Sequence, residues 1–177
     1  ATSATTYIDE RRSFFTDLSD EIWRYAEVGL HEDRSAKALV RALLSHNFTV
    51  EEGVAGMPTA FVGSWGSGAP VIGFLVSQAA KPIKEEFEPG GAGHGCGHNL
   101  LGVGSLAGAI GLAKELEVRG LPGTVKYFGC PAEENFSGKA FMARDGIFDG
   151  MDICMTWHAG ALNRVRNGSS LANNAMN

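Results

Sequence analysis

Three short segments of the chain concentrate side chains able to bind a metal ion or move a proton. They are Gly93-His94-Gly95-Cys96-Gly97-His98-Asn99, Pro131-Ala132-Glu133-Glu134-Asn135 and Thr156-Trp157-His158-Ala159-Gly160. Cys96 and His98 stand two residues apart, so on extended backbone both side chains point the same way and can meet one ion. The glycines around them let the backbone turn tightly and remove side chains that would crowd the site. A glycine-rich loop ahead of a helix also suits a phosphate group held by backbone amides. Such a loop has no use for an embedded cysteine and two histidines, and metal ligation accounts for them better.

Glu133 and Glu134 are adjacent carboxylates, which on their own describe an ordinary surface pair. Beside a thiol and imidazoles they suggest a division of labour. One holds metal, while its neighbour takes a proton from the attacking water and returns it to the leaving amine. His158 gains weight only from this company, since a lone histidine at a strand end is more often structural. His94 is either a further ligand or a residue that shapes the loop and hydrogen-bonds behind the ligands. His31 and His46 lie on or beside early amphipathic segments and read as solvated. Cys130 and Cys154 fall within expected strands, where a small buried residue is the simpler meaning.

The elements that must position these groups follow from periodicity. Phe14, Phe15, Leu18, Ile22, Tyr25 and Ala26 predict a helix over 7–28 stopped by Gly29, and Ala36, Leu39, Val40, Leu43 and Leu44 a second over 33–46. Strands are expected at 48–51, 59–65 and 71–76. The polar stretch 77–97 shows no clear element; long connections of that kind are functional or disordered. A largely buried helix is expected over 99–119, ended by Gly120 with Pro122 beyond. A strand at 124–129, a short helix capped by Ser137 and closed by Gly146, and a strand at 152–157 complete the pattern, with the start of another strand at 169–177.

Alternating strands and helices are the signature of crossover units around a mainly parallel central sheet flanked by helices, an α/β fold. Ligands in such sheets collect outside the carboxyl ends of the strands. Two of the three clusters directly follow a strand and the third precedes a helix, so all three map to one rim.

The bulk properties narrow the choice. A chain of 177 residues suits one domain with its own core, and 44% hydrophobic with 20% charged residues is ordinary for a globular protein. A net charge of −5 with scattered basic residues argues against nucleic acid as a partner. The apolar run 100–112 is too short and too glycine-rich for a membrane span, and 1–7 does not read as a signal peptide. Three cysteines without framework spacing favour reduced thiols and a cytoplasmic setting.

The segments 93–102 (Gly-His-Gly-Cys-Gly-His-Asn-Leu-Leu-Gly), 129–134 (Gly-Cys-Pro-Ala-Glu-Glu), 138–149 and Thr-Trp-His at 156–158 resemble the M20 metallopeptidases. The resemblance runs over nearly the whole chain, including Glu21-Ile22-Trp23 and Pro58-Thr59-Ala60-Phe61. It is strongest to the amidohydrolases that cleave N-acyl amino acids such as aminobenzoyl-glutamate. It implies a zinc-exopeptidase-like catalytic domain of which residues 1–177 are the N-terminal portion, the lid or dimerisation domain being absent from the sequence. It further implies hydrolysis of an amide bond in an N-acyl amino acid or small dipeptide with two divalent metal ions, zinc or manganese. Cys96 would bridge the metals, His98, Glu134 and His158 would be further ligands, and Glu133 would be the catalytic base.

In that family a further metal-binding histidine and substrate contacts lie beyond the region matched here, and homodimers form through the lid. The chain departs from the pattern after Val71-Ile72-Gly73-Phe74-Leu75, where an acidic stretch is usual. Val76 instead runs straight into Ser77-Gln78. A noncatalytic metal-binding or interaction domain is therefore the alternative expectation.

Overall fold

The computed structural model describes residues 2–77, 81–84 and 89–160. Among the described residues five α-helices, α1 (Ser3–Glu10), α2 (Arg12–Tyr25), α3 (Asp33–Leu44), α4 (His98–Arg119) and α5 (Gly138–Arg144), accompany seven strands. The strands are β1 (Thr49–Glu52), β2 (Phe61–Ser67), β3 (Val71–Ser77), β4 (Lys81–Lys84), β5 (Pro89–Gly93), β6 (Gly123–Cys130) and β7 (Ile153–Met155). Five of the strands form one sheet in the order β1-β2-β6-β3-β7. β6-β3-β7 is its parallel part, as the crossover pattern requires, while β1 and β2 extend it with antiparallel pairs. The β1–β2 pair follows from a short connection, since neighbouring strands joined by a few residues have no room for a crossover helix.

Alternation along the strands divides the apolar residues between two faces. Phe61, Val76, Val125 and Tyr127 join Leu39, Leu43, Leu106 and Ile110 of the helices in the larger core. Phe128 and Cys130 face the other way and pack with Val54, Ala60 and Met142 of α5. Tyr127 is fully buried, and its hydroxyl donates to the Gly102 carbonyl at 3.0 Å, so the polar end of the ring is satisfied.

α4 is buried on most of its circumference and is notched with glycine. A β-carbon at Gly104, Gly108 or Gly111 would press against Trp157, Phe74 or Ile8 at 2.7–2.9 Å. Each helical glycine costs roughly 1 kcal/mol against alanine, a loss offset here by the close seating of neighbours. The helix ends at Gly120, whose φ of 61° is the left-handed conformation expected of a C-terminal glycine.

Several expectations need correction. The single helix over 7–28 is two, broken at Arg11 (φ −112°, ψ 21°), and the second ends at Ala26 in a left-handed conformation rather than at Gly29. The break lets α1 pack along α4, where the Ala4 amide donates to Glu115 at 3.1 Å. The stretch 77–97 holds an antiparallel pair, β4 with β5. Its lysines, prolines and glycines carry no hydrophobic alternation, which hides it. Ser137 precedes α5 but makes no side-chain cap, because its φ of 51° takes it out of the extended conformation of a capping residue. Cys154 is exposed, since β7 is an edge strand. The strand expected at 169–177 lies outside the described residues. Among the described residues no helix is long and apolar enough to cross a membrane.

Gly129 faces Phe61 across the β2–β6 pairing, and a β-carbon there would lie 2.2 Å from the ring. Gly129→Ala should therefore destabilise the chain by roughly 1–3 kcal/mol, the usual cost of overpacking a core. Urea unfolding monitored by tryptophan fluorescence measures the effect.

Candidate metal centre

β6, β3 and β7 run in one direction, so their carboxyl ends share a rim. The chain leaves β6 through Pro131 and Ala132 to Glu133 and Glu134, and it leaves β7 through Thr156 and Trp157 to His158. Cys96 and His98 arrive at the same rim from the turn that opens α4. All five residues singled out from the sequence come together there. One group of donors is Cys96, His98 and His158, and a second is His98, Glu133 and Glu134, with ligand atoms in each group within 4.8 Å of one another. His98 belongs to both.

Close approach explains how the opening turn reaches the rim. Gly97 has φ 72°, and a β-carbon on it would meet the Ala159 side chain at 3.3 Å. Glycine therefore serves both the left-handed turn and the contact that brings Cys96 Sγ within 3.2 Å of His158 Nε2. The turn is tied to α2 on both sides. Asn99 donates to the Ser19 hydroxyl at 3.1 Å, and His94 Nε2 contacts the Ile22 carbonyl oxygen at 3.2 Å. That bond turns His94 towards α2. Burial pushes its pKa down, and a neutral imidazole donating from Nε2 fits the contact. His94 thus shapes the loop.

His158 is placed from two directions. Thr156 donates to the Leu75 carbonyl at 3.2 Å, and Trp157 lies over the notch at Gly104. The His98 and His158 rings meet edge to face, 5.8 Å between centroids. His98 Nε2 lies 3.6 Å from Glu133 and 3.8 Å from Glu134. Depth differs along the set: the side chain of His98 is 2% exposed, that of Glu134 21% and that of Glu133 40%.

The donor set suits a divalent metal. Bonds of about 2.0–2.3 Å in a tetrahedral site place neighbouring donors about 3.3–3.8 Å apart. The contacts of 3.2, 3.6 and 3.8 Å fall in or beside that range. A thiol, two imidazoles and two carboxylates are also the ligand types that borderline-soft divalent ions take. Cys130, by contrast, is no ligand: it is buried under the sheet, and burial pushes its thiol up to about 12. His31 is exposed, and His46 is half-buried with its Nδ1 2.8 Å from the Ala42 carbonyl oxygen, so neither belongs to the site.

Two residues at the rim escape any reading of local sequence pattern. Glu32, fully buried, accepts the Ala132 amide at 2.7 Å and the Thr59 hydroxyl at 3.0 Å. Gly29 lies beside it, against the same turn. Neither sits in a motif that announces the contact.

The fold and the rim define an α/β domain with a candidate metal site, and the chain belongs to the M20 metallopeptidase family. It is 43% identical over 175 residues to a subunit of the p-aminobenzoyl-glutamate hydrolase of Escherichia coli, an alignment covering 94% of this chain and 36% of that protein. Xaa-Arg dipeptidase of Mus musculus is 32% identical over 160 residues, with 88% and 37% covered. Among solved structures, a dinuclear metal-binding peptidase of the M20 family from Bacillus subtilis superposes with a TM-score of 0.62 at 25% identity, covering 82% of this chain and 43% of that one. No protein-family model matches the chain. The chain spans little more than a third of the length of the curated relatives it matches.

The environments of the three thiols separate them chemically. Cys96 and Cys154 should react readily with a thiol reagent in the native chain, and Cys130 only after unfolding. Zinc or manganese should protect Cys96 alone. Mass-spectrometric mapping of the labelled cysteines checks both points; unchanged labelling of Cys96 with metal present would remove it from the ligand set.

Proposed function

We propose that residues 1–177 are the N-terminal portion of the catalytic domain of a metal-dependent amidohydrolase. The observation that carries this reading is the convergence of Cys96, His98, Glu133, Glu134 and His158 on one rim, with His98 common to both donor groups. Cys96, His98, Glu134 and His158 would hold two divalent ions. Thiolate favours zinc, while the carboxylate and imidazoles suit manganese as well. Bound metal supplies Lewis-acid polarisation of the amide carbonyl and stabilises the charge that develops on its oxygen.

The protein's own contribution is positional and protolytic. Glu133 is the more exposed of the two carboxylates, which leaves it facing the volume a substrate would enter. It takes a proton from the water that attacks the carbonyl carbon. As the carbon–nitrogen bond breaks, it delivers that proton to the departing amine, leaving a carboxylic acid and a free amine. Glu134, deeper and beside the same imidazole, is the ligand of the pair. The substrate is an N-acyl amino acid of the aminobenzoyl-glutamate kind or a small dipeptide, a reading supported by the hydrolase and dipeptidase relatives. Three cysteines without framework spacing fit a reducing, cytoplasmic setting.

A second reading, metal binding without turnover, is favoured by the direct run of Val76 into Ser77-Gln78, where the family resemblance implies an acidic stretch. The two separate experimentally. Chain purified without chelator should contain divalent metal by elemental analysis and hydrolyse p-aminobenzoyl-glutamate. Glu133→Gln should keep the metal and lose about 10²–10⁴ in kcat, the usual contribution of a general base. Metal without turnover in the unaltered chain would establish the second reading, and no metal at all would sink both.

A further inference from the structure

The turn that presents Glu133 and Glu134 is held in a conformation its own residues do not favour. Ala132 has φ 55°, a left-handed backbone that costs a residue with a β-carbon roughly 1–2 kcal/mol. Such conformations persist only where surrounding structure imposes them. The Ala132 carbonyl accepts from the amides of Asn135, Phe136 and Ser137 at 3.3, 2.8 and 2.8 Å, which winds the turn behind the glutamates. The Ala132 amide on the other side donates to Glu32 Oε1 at 2.7 Å, across a hundred residues of sequence.

Glu32 is unusual for its position. It occupies the N-terminal cap of α3, yet its side chain makes no capping bond. Glu27 takes that role instead, accepting the amides of Arg34 and Ser35 at 2.9 and 2.8 Å and the Ser35 hydroxyl at 2.7 Å. The Glu32 carboxylate is thereby released to point inward, where it is 0% exposed and bonded to Ala132 and Thr59. A buried carboxylate used only to join two loops would be an expensive device, because desolvation opposes its charge. Gly29 supplies an independent sign of fit: a β-carbon there would lie 3.0 Å from Ala132 Cα and 3.3 Å from the Asn135 side-chain Nδ2. The segment between α2 and α3 is shaped to lie against this turn.

We infer that Glu32 is a positioning residue for the glutamate pair, locking Ala132 so that Glu133 and Glu134 face His98, with Gly29 clearing the approach. The inference rests on the metal-binding reading of the site. It predicts a selective effect, because the clamp touches the carboxylate side of the rim and not the Cys96–His158 side.

Cobalt(II) titration of the chain followed by absorption and calorimetry tests this. Glu32→Ala should weaken the carboxylate-side binding event by about 10–100-fold, the range seen when residues behind metal ligands are removed. The thiolate–cobalt band from Cys96 should survive. Glu32→Gln should restore binding, since an amide oxygen still accepts the Ala132 N–H. Gly29→Ala, which removes no hydrogen-bonding group but pushes Ala132 away from Glu32, should weaken the same event and serves if Glu32→Ala does not fold. Hydrogen exchange at the Ala132 amide of metal-free chain reads the clamp without metal, and should quicken in Glu32→Ala or Gly29→Ala but not in Glu32→Gln. Folded variants that bind cobalt as the unaltered chain does, or that lose both events together, overturn the inference. If the unaltered chain takes up no cobalt, the metal reading fails instead, and Ala132 exchange alone decides whether Glu32 holds the turn.

Discussion

β3 carries β6 on one side and β7 on the other, both parallel to it, and the candidate metal centre depends on that pairing. Parallel strands release their chain ends in the same direction, so Glu133, Glu134 and His158 leave the sheet at one edge although they belong to distant parts of the sequence. Antiparallel pairing of either strand would send its donor to the opposite end, some 15–20 Å away for strands of about five or six residues. The side of the sheet built from β1 and β2 is free of this demand. There the chain uses antiparallel neighbours, and no donor of the site comes from them.

The second constraint is closeness. α4 brings its first turn to the rim only because its glycines admit Trp157, Phe74 and Ile8 against the helix backbone. The same economy of volume recurs at Gly97 beside Ala159 and at Gly29 beside Ala132. Site residues are thus held by packing from behind as well as by contacts with one another. This is the arrangement in which a small displacement in a supporting residue is felt at the ligands.

Much of this is legible in the sequence, and the reasons differ from residue to residue. Cys96 and His98 stand out because their types are rare together and their spacing is local. Glu133, Glu134 and His158 become readable once strand ends are recognised, since the periodicity of 124–129 and 152–157 is visible in the residues themselves. The break at Arg11 is not legible, because it serves the contact of α1 with α4 and leaves no proline or glycine behind. The β4–β5 pair is hidden by residues with no alternation, and the exposure of Cys154 by the fact that edge and interior strands share a composition. Glu32 is the deepest omission. Its partner lies a hundred residues away, and no pattern within a window of helix or strand length can report a bond of that span.

The position of β6 has a consequence for how the chain acquires its shape. It is the middle strand of the sheet, yet it follows β1, β2 and β3 in sequence, and β2 and β3 do not pair with each other. While the polypeptide is being made, the β1–β2 hairpin and β3 therefore exist as separate pieces, each with an edge whose amides and carbonyls lack their final partners. Such edges are open to pairing with other chains. Residues 123–130 pair with both edges and bury Tyr127 and Phe128 on opposite faces. β6 thus joins the two halves of the sheet and carries the glutamate pair to the rim, and a chain lacking residues 123–130 has no central strand between β2 and β3.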